Sequence, residues 1–93
     1  MDSRGWHVSM EEIPAGIMAD MPEPLRKGVF NFLHAFALEV GGAVGAGRRP
    51  PGDPMDDQGA RFSLQVDGEP VLFEYVVLPH LREIRIPVLV WFA

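Results

Sequence analysis

The last third of the chain dictates most of what it can become. Residues 60–66 alternate, with Phe62, Leu64 and Val66 set against Arg61, Ser63 and Gln65, the period of a strand with one buried face. Asp67-Gly68 follows, a two-residue type I′ hairpin signal. Residues 71–78 are apolar at nearly every position, as in a central strand covered on both faces. Residues 79–82 supply a four-residue turn, and 83–92 a final strand. A three-stranded antiparallel meander of this kind needs another layer to bury its apolar face.

The two turns fix a register. The first pairs Leu64 with Val71 and Phe62 with Phe73; the second pairs Tyr75 with Ile86 and Phe73 with Val88. Both put Phe62, Leu64, Val71, Phe73, Tyr75, Val77, Ile84, Ile86, Val88 and Val90 on one face. The opposite face then carries Arg61, Ser63, Gln65, Leu72, Glu74, Val76, Arg85, Leu89 and Trp91.

The covering layer lies upstream. Trp6, Val8 and Met10 alternate with His7 and Ser9, which predicts a short strand over 5–10. Ser9-x-x-Glu12 reads as a capping box that opens a helix bearing Ile13, Ile17 and Met21 on one face, with Pro14 in or near its first turn. Pro22 and Pro24 close that helix and begin the next, which Asp20-x-x-Glu23 can cap. There Leu25, Val29, Phe32, Phe36 and Val40 fall at i, i+4, i+7, i+11 and i+15, with Leu33 and Ala37 at the margin. Gly41 and Gly42 are read as its C-terminal stop. Residues 10–41 are thus a helical hairpin. Residues 41–59 are a flexible Gly/Pro-rich loop in which no element is expected.

The fold class is therefore α+β: a two-layer sandwich of an N-terminal strand, a helical hairpin and a three-stranded antiparallel meander. Ninety-three residues make one domain over 1–93, and 47% hydrophobic with 23% charged residues is a globular composition. No apolar run approaches the ~20 residues of a membrane span, and MDSRGWHVSM lacks the apolar core of a secretory signal. The chain holds no cysteine, which excludes disulfides, thiol catalysis and cysteine-bearing zinc sites and fits a cytoplasmic location.

A formal charge of −5 disfavours nucleic acid or the ribosome as the main partner, because phosphate neutralisation supplies most of that affinity. His7, His34 and His80 are scattered without ligand spacing, so neither a metal nor a cofactor is expected. Gly41-Gly42-x-x-Gly45-x-Gly47 lacks the lysine and preceding strand of a phosphate loop. Arg48 and Arg49 are offset by Asp53, Asp56 and Asp57.

Two outer-face groups carry candidate roles. The register sets Arg61 opposite Glu74, with Arg85 one pair away. That trio can serve RNA cleavage, the carboxylate taking a 2′-hydroxyl proton and the guanidiniums holding phosphate. Read as structure, it is a solvated cross-strand charge cluster worth about 0.2–1 kcal/mol per pair, and this reading is favoured. Leu72, Val76, Leu89 and Trp91 form the second group, an apolar patch that marks a partner site if nothing covers it.

The strand at Trp6-His7-Val8, the helix from Leu25 to Val40 and the meander from Arg61 to Trp91, opened by Phe62-Ser63-Leu64-Gln65-Val66, resemble the RelE/ParE superfamily of bacterial toxins. The resemblance is one of architecture and covers nearly the whole chain. It implies a toxin-like component of a toxin–antitoxin pair, with an antitoxin-like protein or a second copy as partner. The catalytic basic residues do not carry over. Where the ribonucleases of the family hold Lys or Arg, this chain has Ser63 and Gln65 on the second strand and Val71 or Leu72 on the third. The basic tail after the last strand has no counterpart following Trp91. The reading is thus a toxin-like protein that acts by binding rather than as an enzyme. Its alternatives are an endoribonuclease using Arg61, Glu74 and Arg85, and a small dimeric regulatory protein.

Overall fold

A computed structural model describes residues 5–92. The leader reading of the first four residues therefore lies outside the described residues. Five strands and two helices follow in the order β1 (His7–Met10), α1 (Glu12–Ala19), α2 (Glu23–Gly45), β2 (Asp53–Pro54), β3 (Arg61–Gln65), β4 (Val71–Leu78) and β5 (Glu83–Trp91). The strands form one mixed sheet in the order β1-β5-β4-β3-β2. Helices on one face of the sheet make this an α+β architecture.

The helical layer differs from expectation in three ways, each with a local cause. Neither capping box forms: α1 starts after Glu11 and α2 after Pro22, without a side-chain cap. Ser9 instead turns its hydroxyl to Glu83 across the sheet. Arg26 closes the corner between the helices from its NH1, which donates to the carbonyls of Ala19 at 3.4 Å and Met21 at 3.3 Å. Ile13 is exposed, while Pro14 and Met21 are buried.

The long helix does not stop at Gly41 but runs on to Gly45. Its buried stripe is Val29, Leu33, Phe36, Ala37, Val40 and Ala43, so Leu33 and Ala37 lie in the core, and Leu25 and Phe32 at its edge. At this length α2 is long and apolar enough to cross a bilayer by composition, which the reading of the sequence did not anticipate. Its apolar stripe instead packs on the sheet. The hydrophobic face of a core helix satisfies the same criterion.

Aromatic rings join the layers. Phe36 of α2 meets Phe73 at 5.4 Å and Tyr75 at 4.8 Å between ring centroids, both edge-on, and Phe62 stacks on Tyr75 at 5.3 Å. Phe62, Phe73 and Tyr75 are wholly buried. Each such side chain contributes about 1.5–3 kcal/mol by burial, with about 0.5–1.5 kcal/mol more per favourable ring pair.

The meander forms as expected, but its register is corrected at two places. The first hairpin loop has four residues rather than two, because the Val66 N–H donates to the Val71 carbonyl and Pro70 has no N–H to offer the ladder. Phe62 therefore opposes Tyr75, and Leu64 opposes Phe73. A slip of two residues preserves the face of every side chain, so the core side of β3 and β4 is unaffected.

The second correction reverses faces. β4 and β5 pair as expected from Leu78–Glu83 to Val76–Arg85, and then a bulge intervenes before Glu74–Val88. Pro87 supplies the extra residue, as a residue without an N–H does at a bulge. Beyond it Leu89 is buried and Trp91 packs against the core, while Val90 is exposed.

The 41–59 segment also gains structure. Its first residues complete α2, and Asp53–Pro54 pairs antiparallel with β3. The buried hydroxyl of Tyr75 donates to the carbonyl of Pro51. At Gly52 (φ +110°) a Cβ would stand 2.7 Å from the Ser63 carbonyl oxygen, so only glycine lets the segment lie this close to β3.

Candidate functional site

The face of the sheet turned away from the helices carries every polar side chain singled out for chemistry. Cross-strand rows define it. Arg61 opposes Val76, Val76 opposes Arg85, and Arg85 opposes Ser9 of β1. On one side lies the row of Leu78, Glu83 and His7; on the other, Ser63, Glu74 and Val88.

Arg61 is thus not directly opposite Glu74. Its guanidinium reaches diagonally, donating to Glu74 Oε1 from Nε at 3.1 Å and from NH2 at 2.5 Å. Arg85 turns the other way along its own strand, with Nε 2.9 Å and NH2 2.8 Å from Glu83 Oε2. The expected trio is therefore two separate ion pairs divided by Val76. Arg61 and Glu74 are brought together; Arg85 is not brought to them.

Glu83 is the more elaborate centre. Besides Arg85 it accepts the Ser9 hydroxyl at Oε2, 2.8 Å away, and His7 Nε2 lies 3.3 Å from Oε1. The Ser9 hydrogen bond foremost, then the Arg85 guanidinium and His7, hold its carboxyl below the usual glutamate range against the opposing effect of desolvation. A carboxylate stabilised in this way is a poor proton acceptor near neutral pH. Glu74 is likewise occupied by Arg61. Both outer-face carboxylates are engaged as electrostatic partners inside the chain.

Sequence reasoning missed Ser9 and Glu83, and it treated His7 only as an isolated histidine. The needed signal was the partner of β1, which lies parallel to β5 and brings His7 to Glu83 and Ser9 to Arg85. No local pattern encodes that pairing.

The apolar patch is also redrawn. Leu72 and Val76 are on the outer face as expected, half-buried. Leu89 and Trp91 are not, because the bulge at Pro87 turns them to the core side. Val88 and Val90 take their place, Val88 opposite Glu74 and Val90 opposite Leu72. The outer face thus presents Leu72, Val76, Val88 and Val90 beside two neutralised charge pairs.

Among the described residues no three His, Asp or Glu side chains converge as a metal site would require. His34 is exposed on α2, its ring 4.5 Å from that of Phe30, and His80 is exposed in the turn before β5. Compared with known proteins, the chain matches no family model, no curated protein and no solved structure.

Proposed function

We propose that the chain is a toxin-like component of a bacterial toxin–antitoxin pair that acts in the cytoplasm by binding a protein partner through the outer face of its sheet. The order of a strand, a helical hairpin and an antiparallel meander supports the RelE/ParE-like part of this reading. The observation that carries the binding mode is the pairing of both outer-face carboxylates. Arg61 holds Glu74, and Ser9 with Arg85 holds Glu83, so neither acid nor guanidinium stands ready for a substrate phosphate. Leu72, Val76, Val88 and the exposed Val90 supply the apolar contact. Apolar residues ringed by satisfied charges are the usual make-up of a protein-binding surface. The formal charge of −5 agrees with a protein partner rather than nucleic acid.

Growth of a bacterial culture after induction of the chain tests this. Arrest should occur, persist in Glu74→Gln and Arg85→Ala, and disappear in Val90→Asp. Arrest abolished by Glu74→Gln or Arg85→Ala in folded, soluble protein would transfer the assignment to an endoribonuclease. Normal growth at high soluble yield would sink the toxin reading in that host.

A further inference from the structure

Two arginines just after α2 stand apart from the others. Arg61 is engaged by Glu74, Arg85 by Glu83, and Arg26 by the carbonyls of Ala19 and Met21. Arg82 also has a partner. Among the described arginines, only Arg48 and Arg49 have side chains that meet none, and both are exposed. The acids expected to offset them do not do so by contact. Asp53, Asp56 and Asp57 form no ion pair with either, and Asp56 Oδ1 accepts the Ala60 N–H at 3.1 Å instead.

Both arginines line one hollow of about 460 Å³ at the C-terminal end of α2, and Gln58 stands with them. No carboxylate lines it. Its apolar lining includes Val44 of α2, Val77 of β4 and Pro79. Sites for small molecules occupy roughly 300–1,000 Å³ and combine an apolar wall with a few polar groups.

The backbone that carries the two arginines is pinned on both sides. Gly47 (φ +70°) ends α2 in a Schellman motif, its N–H donating to the Val44 carbonyl at 3.1 Å and the Arg48 N–H to the Ala43 carbonyl at 2.8 Å. Beyond them Pro50 is buried, and the Pro51 carbonyl accepts the Tyr75 hydroxyl.

Charge selects the occupant. A guanidinium is charged at every pH a protein meets, so the hollow carries two full positive charges. The end of a helix opposes an anion by only about half a charge. The net charge of −5 is spread over the whole chain, and salt screens it beyond ~8 Å. A phosphate monoester carries about −1.5 to −2 near neutral pH, which matches the pair, and its oxygens accept the forked N–H groups of arginine. A carboxylate would leave one guanidinium unmatched.

We propose that this hollow binds a small organic phosphate monoester, with the phosphate between Arg48 and Arg49 and an apolar body against Val44, Val77 and Pro79. The site shares no residue with the outer face of the sheet and is independent of the toxin reading.

Calorimetric titration of the full chain with phenyl phosphate tests this, with the arginine Nε–H signals followed by NMR. Phenyl phosphate should bind and shift the Arg48 and Arg49 signals, leaving those of Arg61 and Arg85 in place. Arg48→Gln and Arg49→Gln should each weaken binding about tenfold or more, as loss of a hydrogen bond to a charged group does. Lys27→Gln removes the same charge from an exposed position near the other end of α2 and should leave affinity unchanged. Inorganic phosphate and benzoate should both bind several-fold more weakly.

Failure of the native chain to bind phenyl phosphate overturns the proposal. So does binding that both arginine variants retain, or that Lys27→Gln weakens equally. Benzoate binding as tightly overturns the choice of phosphate, and inorganic phosphate binding as tightly overturns the apolar body. A phosphotyrosyl peptide that binds much more tightly than phenyl phosphate overturns the small-molecule assignment.

Discussion

Trp6 lies so close to Gly41 that a Cβ on the glycine would stand 2.8 Å from the indole Cδ1 and 3.1 Å from Cγ. The contact joins the residue before β1 to the C-terminal part of α2 and explains why a glycine sits inside a helix that continues for another turn. Trp6 is 8% exposed and belongs to the core, so any shift of its ring disturbs that packing. Gly42, the next residue, has nothing within 4 Å of its would-be Cβ.

The pair gives opposite outcomes for one substitution. Gly42→Ala should raise stability by about 0.5–1 kcal/mol, the propensity gain at an open helical position. Gly41→Ala makes the same gain but drives a methyl into the indole, and overpacking of about 1–3 kcal/mol outweighs it. Urea denaturation of the two variants checks the sign of each.

Tyr75 is the chain's one tyrosine, so its ionisation is directly visible. Burial first, and the negative charge of Glu39 second, push its phenol far above the ordinary value near 10. A group whose folded pKa is raised stabilises the fold below its unfolded pKa and ceases to as pH rises through the folded one. Stability should therefore fall above about pH 10. Tyrosinate absorbance should appear together with the loss of circular dichroism, not before it.

Tyr75→Phe should flatten that alkaline slope. At neutral pH it should cost about 0.5–1.5 kcal/mol, since the Pro51 carbonyl loses its donor. Melting curves of the two proteins across alkaline pH measure both effects.

The sign is reversed at Glu83. Its carboxyl is held below the ordinary glutamate value by Ser9, Arg85 and His7, so its stabilisation is complete above the unfolded pKa and is lost as pH falls through the folded one. Glu83→Gln should melt lower than the native chain at neutral pH. The two melting temperatures should converge as the pH drops below the usual glutamate range. A constant gap down to strong acid would show that Glu83 acts by shape rather than charge.

Much of the fold was legible because it is encoded locally. The alternation in β3, the continuous apolar run of β4 and the period of α2 each depend on nearest neighbours in sequence, and each element formed. What was illegible depends on pairings between distant segments. Ser9-x-x-Glu12 satisfies the pattern of a capping box, but Glu83 competes for the Ser9 hydroxyl from 74 positions away. Gly41-Gly42 satisfies the pattern of a helix stop, but Trp6 gives Gly41 another reason to be glycine. The outer-face trio failed because a four-residue loop moved Arg61 by two residues, to face Val76, and Arg85 turned to Glu83 on its own strand, a carboxylate that Ser9 of the parallel strand β1 also holds.

Pro87 is the sharpest case, because a single residue there inverts the end of β5. An uninterrupted strand puts Val88 and Val90 in the core and Leu89 and Trp91 outside; the bulge does the reverse, leaving Leu89 at 4% exposure and Val90 at 44%. Truncation reads the difference directly. Leu89→Ala should cost about 2–5 kcal/mol, the loss for a buried leucine, whereas Val90→Ala should stay within about 0.5 kcal/mol of the native chain. Denaturant midpoints at constant m-value separate the two arrangements. A larger loss at Val90 than at Leu89 would restore the unbulged register, and with it Leu89 and Trp91 as outer-face groups.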